Sequence, residues 1–208
     1  MFVGVIDYKF AGEPNYIKGK LDIDTAQLAY IEIEFFDLFD LRIEQGSAFA
    51  SLIKPSSPEN VSAKALTTNK LKIEELMVSP SLQLVWDRFV THCKRYRRAG
   101  PPILCSFDKE GPILLQSMAE KFRDLDVDGF QKVFDNKQGY VLSDDIVRWF
   151  PDNKFLPNKS LESLRDFFGI EPESGAATIG RLQMRFLNLY RSLFDSMEFY
   201  KSFNKKED

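Results

Sequence analysis

Histidine is almost missing from this chain of 208 residues: His92 stands alone, and a lone imidazole restricts which catalytic schemes are open. Cysteine is nearly as scarce. Cys93 and Cys105 form no CxxC or Cys/His cluster, so neither a disulfide framework nor a zinc site is expected, and the compartment read from them is reducing. No uninterrupted apolar run approaches the roughly 20 residues that a membrane-spanning helix needs. The opening MFVGVIDYKF also lacks the basic, apolar, then small order of a signal peptide. The expectation is an intracellular protein, cytoplasmic or nuclear, without a membrane partner. Positive charge is not in excess either. With 28 Lys and Arg against 31 Asp and Glu, the net charge of -3 gives no general attraction to a polyanion, and only a local basic patch could supply one.

What is present is a well-cored chain, 44% hydrophobic and 13% aromatic, of a length that suits one domain. It is organised around Ala29 to Pro55. Tyr30 to Phe36 reads as a strand, Asp37 to Leu41 as a bend, Arg42 to Ala50 as a second strand, and a third strand ends at Pro55. Alternation along a strand turns Ile31, Ile33 and Phe35 one way and Tyr30, Glu32, Glu34 and Phe36 the other. Glu32 and Glu34 are therefore neighbours on one face. Such a pair suits a solvated edge equally well or a site where a cation lies between them. Residues 1–28, with FVGVIDYKF and a turn at Gly12 to Asn15, read as an N-terminal arm or an extra strand, and residues 204–208 as a polar tail.

Beyond PSSPEN, a short helix is expected at Lys72 to Met77 and a longer one after Ser81, which can cap it. Leu82, Val85, Trp86, Phe89, Val90, Cys93 and Tyr96 recur three and four apart and form one apolar stripe. Lys94, Arg95, Arg97 and Arg98 follow. As cations at the negative end of a helix dipole they need no ligand, and phosphate binding explains them about as well. Ile103 to Phe107 has the look of a buried strand, and it delivers Asp108 at its carboxyl end, where open α/β sheets place their ligands. Helices are then expected at Pro112 to Phe122, from Ser143 as cap to Phe150, from Ser160 to Phe168 with Gly169 closing it, and from Ala176 to about Phe203. Phe130 to Phe134 reads as another strand. DLDVDG at Asp124 to Gly129 lacks the further oxygen ligands and closing glutamate of a calcium loop.

The order of these elements, with IEQGSAF at Ile43 to Phe49, SLIKP at Ser51 to Pro55, LKIEELMVSPSLQLVWDRF at Leu71 to Phe89, ILCSFDKEGPIL at Ile103 to Leu114 and NKSLESLRDFFGI at Asn158 to Ile170, resembles the DnaQ-like (DEDD) 3'-5' exonucleases. The likeness runs over about Ala29 to Phe194 and implies an α/β, RNase H-like domain over 29–203, a mixed five-stranded sheet flanked by helices. It also implies a chemistry. Two divalent cations about 4 Å apart, Mg²⁺ or Mn²⁺, held by four carboxylates, would grip a scissile phosphate at a single-stranded 3' end while a His or Tyr deprotonates water. On the resemblance, Glu32, Glu34 and Asp108 fill the catalytic and metal-binding positions, Glu32 replacing an Asp. The last motif, a His five residues before an Asp at the start of the final helix, falls near Ser174 to Leu182. SGAATIGRL there holds neither residue. Tyr190 and Asp195 have that spacing, deeper in the same helix.

Three expectations follow. In the first, the exonuclease fold binds nucleic acid through a degenerate site, with Lys94, Arg95, Arg97 and Arg98 meeting phosphates and no metal cofactor. In the second, an active metal-dependent exonuclease uses Glu32, Glu34, Asp108 and Asp195, with Tyr190 as base. In the third, the domain docks a protein partner through aromatics around the bend, Phe35, Phe36 and Phe39.

Overall fold

The structure is a computed structural model that describes residues 1–97, 100–122, 134–150 and 160–204, and for 135–138 and 197–204 it describes the backbone alone. In chain order the elements begin with β1 (Phe2–Phe10), the small ribbon β2 (Tyr16–Ile17) and β3 (Lys20–Leu21), the single turn α1 (Ile23–Ala26) and β4 (Leu28–Asp37). Next come β5 (Arg42–Ile43), β6 (Phe49–Leu52), α2 (Ala63–Thr68), α3 (Ile73–Met77) and α4 (Leu82–Lys94). The second half holds β7 (Ile103–Ser106), α5 (Glu110–Lys121), β8 (Asp135–Val141), α6 (Leu142–Trp149), α7 (Leu161–Phe167) and α8 (Gly175–Asn204).

The sheet runs β5, β4, β1, β7, β8, with β6 also paired to β4. β1 lies antiparallel to β4 and parallel to β7, and β7 is parallel to β8. Five positions across are therefore filled, the outermost by two short strands in line. This is the mixed, helix-flanked sheet expected from the element order. The segment read as an arm or extra strand is its centre, because β1 is an apolar run that pairs on both sides. The expected second strand, Arg42 to Ala50, is interrupted. Gly46 adopts φ 73°, and the Ser47 hydroxyl both donates to the Phe35 carbonyl and accepts from its N–H, so a side chain replaces a stretch of ladder there.

Alternation on β1 and β4 feeds two cores. Ile6, Ile31, Ile33 and Phe35 face α4 and α5, where Val85, Trp86, Phe89, Leu114, Leu115 and Met118 close over them. Val3, Val5 and Phe36 face the other way, toward Leu142, Ile146, Leu164, Ile179, Leu182 and Phe186. Phe35 and Phe36 are fully buried while Phe39 is 67% exposed, so of the three aromatics at the bend only Phe39 offers a surface. The Ser81 cap forms as expected, its Oγ accepting from Leu84 N at 3.4 Å, whereas α6 starts after Val141 and Ser143 does not cap it. Gly169 closes the turn after α7 at φ 61°. The expected strand at Phe130 to Phe134 lies outside the described residues except for Phe134, which is buried, and so does the DLDVDG segment.

Candidate functional site

Parallel β1 and β7 end side by side, and their carboxyl ends open on a cavity of about 250 Å³ lined by Asp7, Tyr8, Lys9, Asn69, Asp108 and Glu110, among others. Open α/β sheets place their ligands at such ends. Asp7 and Lys9 are two apart on β1 and so share a face, the one covered by α8. Across the antiparallel ladder, Asp7 lies opposite Glu32, Lys9 opposite Tyr30, and Val5 opposite Glu34. Glu32 and Glu34 therefore stand on one face, as alternation requires, but on the strand beside β1.

Two ionised carboxylates facing each other across a ladder, about 5 Å apart at an effective dielectric constant of about 20, repel by about 3 kcal/mol. The Asp7 carboxyl accordingly rises to about 6, first through burial and then through the Glu32 charge, while the Lys9 ammonium pulls it down. Glu32, only 3% exposed, accepts from Tyr30 Oη at 3.0 Å and from the Ala176 N–H at the start of α8 at 3.4 Å. Glu34 is raised as well, by burial and then by Glu32 and Glu173, with Arg181 opposing, and its Oε2 is buried with no hydrogen-bond partner among the described residues. On the β7 side, Asp108 Oδ1 accepts from Tyr8 Oη at 3.0 Å and from Glu110 N at 2.9 Å. A third tyrosine, Tyr16, lies within reach of the Glu110 charge. Each of these phenols is held protonated well above its ordinary range, by burial and by the neighbouring carboxylate charge.

The structure thus sets Glu32 and Glu34 on β4 beside Asp7, places Asp108 on the cavity that Asp7 and Lys9 also line, and so adds Asp7 and Lys9 to the residues expected from the sequence. A signal for them existed. FVGVI is a short apolar run followed by a carboxylate, Asp7, the same pattern as Ile103 to Asp108. Tyr190 is elsewhere: its hydroxyl donates to Asp145 Oδ1 at 2.8 Å and its ring packs on Trp149. Asp195 is exposed. At 1.5 Å rise per residue these two stand roughly 20 and 30 Å along α8 from its contact with Glu32.

Two glycines face β1 at the start of α8. A Cβ added at Gly175 would fall on the Asp7 carboxylate, while one added at Gly180 would sit 3.4 Å from Val5 Cγ2, an ordinary contact. They are five apart. Helical side chains lean toward the N-terminus, so a side chain at 180 would lean back toward Asp7.

The basic cluster is at the other end of the hairpin. Tyr96, between Arg95 and Arg97, stacks on Phe35 with centroids 4.0 Å apart and meets Phe2 edge-on, which puts Lys94, Arg95 and Arg97 near the start of β1. Five residues of strand, about 17 Å, separate Phe2 from Asp7. Arg98 lies outside the described residues. His92 is buried, with Nε2 2.7 Å from the Ser47 carbonyl, and belongs to the core.

No protein-family model matches the chain, and no curated protein does. Solved structures do, and they define the class: this chain has the DnaQ-like exonuclease fold, the RNase H-like arrangement of the DEDD nucleases. One similar structure is a nuclease domain described as 3'hExo, a DEDDh family member bound to rAMP, at TM-score 0.61 and 11% identity, covering 90% of this chain and 92% of that one. A second, described as recognising the 3' end of a histone mRNA stem-loop, has TM-score 0.61 and 11% identity, with 90% of this chain and 81% of that one covered. Escherichia coli exonuclease I with a dT13 oligonucleotide has TM-score 0.61 and 14% identity over 93% of this chain, which spans only 43% of that protein.

The metal ions that this fold implies can be tested against the residues present. Among the described residues no group of three or more His, Cys, Asp or Glu side chains is placed to share one ion. A lysine stands within the acidic set, and the Asp7 carboxylate fills the space that a side chain at 175 would need. The residues do not fit a pair of divalent cations. Among the described residues, also, no helix is long and apolar enough to cross a membrane.

Proposed function

We propose that this chain is a DnaQ-like exonuclease-fold protein that binds nucleic acid and cuts it poorly or not at all. The observation that carries this reading is the pair Gly175 and Gly180. They have the spacing, the position at the start of the last helix and the orientation toward β1 that the family's His and Asp would need, and neither has a side chain. Asp7-Tyr8-Lys9 at the end of the central strand stands where the family carries Asp-x-Glu, so a cation replaces the second carboxylate. An active reading through Tyr190 and Asp195 has no support in their distance from the site or in the bond between Tyr190 and Asp145.

Three neighbours were captured with or described as recognising RNA, a ribonucleotide or a DNA oligonucleotide, which supports a single-stranded 3' end as the ligand class here. Fluorescence anisotropy with 3'-ended RNA and DNA single strands in EDTA tests it. Binding is expected at low salt, weakening linearly in log K against log salt. Neutralising Lys94, Arg95 and Arg97 together lowers that slope by about one per charge if the footprint reaches the far end of the hairpin. No binding of either strand at low salt would favour a protein partner instead.

A further inference from the structure

We propose that Lys9 is a resident cation: its ammonium group takes over part of the charge that divalent ions would supply at this site, so the acidic end of the β1 and β4 hairpin is offset in part from within. The inference rests on the reading of the site as an incomplete cation cage, and deepens it by naming what fills the cage.

Placement is the first ground. Lys9 shares a face of β1 with Asp7, lies opposite Tyr30 in the ladder, and holds its Nζ 5.5 Å from the centre of the Tyr30 ring. An ammonium over an aromatic face is held there by the ring quadrupole. The same tyrosine donates its hydroxyl to Glu32, so one residue positions the cation and caps the carboxylate next to it.

The bonding of the carboxylates is the second. Glu32 is held by Tyr30 and the Ala176 N–H, and Asp108 by Tyr8 and the Glu110 N–H. At these two carboxylates, oxygens that a hard cation would coordinate are occupied by fixed donors. Donors alone leave the charge uncompensated, and Lys9 sits where compensation is required, beside the directly opposed pair Asp7 and Glu32. Loss of the Lys9 charge, with its length kept, should therefore convert the site into one that seeks a cation from solution.

The experiment compares the full chain with Lys9→Met, Lys9→Glu and Lys9→Arg, each melted in EDTA and in MnCl2, with bound Mn²⁺ counted by electron paramagnetic resonance. The wild type and Lys9→Arg are expected to melt at the same temperature in both buffers. Lys9→Met is expected to melt several degrees lower in EDTA, to recover most of that loss in MnCl2, and to bind Mn²⁺ about tenfold or more tightly than the wild type. Lys9→Glu should show the larger response, and if it does not fold in EDTA the Lys9→Met result decides. A Lys9→Met protein that melts with the wild type and ignores Mn²⁺ would overturn the proposal, as would a wild type stabilised by Mn²⁺ as much as the variant. Oligonucleotide binding is read separately, so its failure would overturn the functional reading while leaving this result standing.

Discussion

The two faces of the β1 and β4 hairpin are built from the same strands and do opposite work. On the α4 and α5 side, Ile6, Ile31, Ile33 and Phe35 are 0–1% exposed and sit in a core of apolar side chains. On the α8 side, Asp7, Lys9, Tyr30, Glu32 and Glu34 alternate with them, residue by residue. Burial there raises two carboxyls and leaves one Glu34 oxygen without a partner among the described residues. One face stores stability along its length; the other stores it at Val3, Val5 and Phe36 and spends part of it at the acidic residues, and the period of two along a strand lets a single hairpin do both.

Four substitutions sharpen that contrast. The largest effect belongs to the apolar face: Phe35→Ala should lower stability by about 3–5 kcal/mol, read from urea midpoints at constant slope. On the acidic face the sign reverses. Asp7 titrates near 4 when unfolded and at about 6 when folded, so the native state holds the proton more tightly; stability falls as pH rises between those values and stays lower above them. Asp7→Asn should therefore stabilise the chain at pH 8 by about 1–3 kcal/mol, with the gain gone below about pH 4. Melting curves across that range check it, and equal pH dependence of the two proteins would break the contrast.

Smaller effects separate the two glycines. Gly175→Ala drives a methyl into the Asp7 carboxylate and should cost about 1–3 kcal/mol. Gly180→Ala meets only an ordinary contact with Val5 and removes a flexible residue from a helix, so it should gain about 0.5–1 kcal/mol. Equal effects at both positions would mean that α8 does not press on β1 as described.

Much of this was legible in the residues. The α4 stripe, the buried strand before Asp108 and the facing of Glu32 and Glu34 all follow from local periods. Strand order does not. β1 pairs with β4 and with β7, a hundred residues on, and nothing local in FVGVIDYKF says that it lies between them. That is why Asp7 and Lys9 went unassigned while Glu32 and Glu34 stood for the first-strand pair. The break at Glu44 to Ala48 was hidden for another reason, because the Ser47 hydroxyl satisfies Phe35 in place of a ladder. Tyr190 and Asp195 show the limit of spacing as a guide: they are five apart, but Gly175 and Gly180, also five apart, are the pair that the packing of α8 brings to β1.

Release of nucleotides from a 3'-ended single strand, in buffer containing Mg²⁺ or Mn²⁺, bears most directly on the claim that the scaffold persists while its cation cage is incomplete. The account predicts no release above the buffer blank from purified wild-type chain. Steady metal-dependent release that Asp108→Ala abolishes would contradict it.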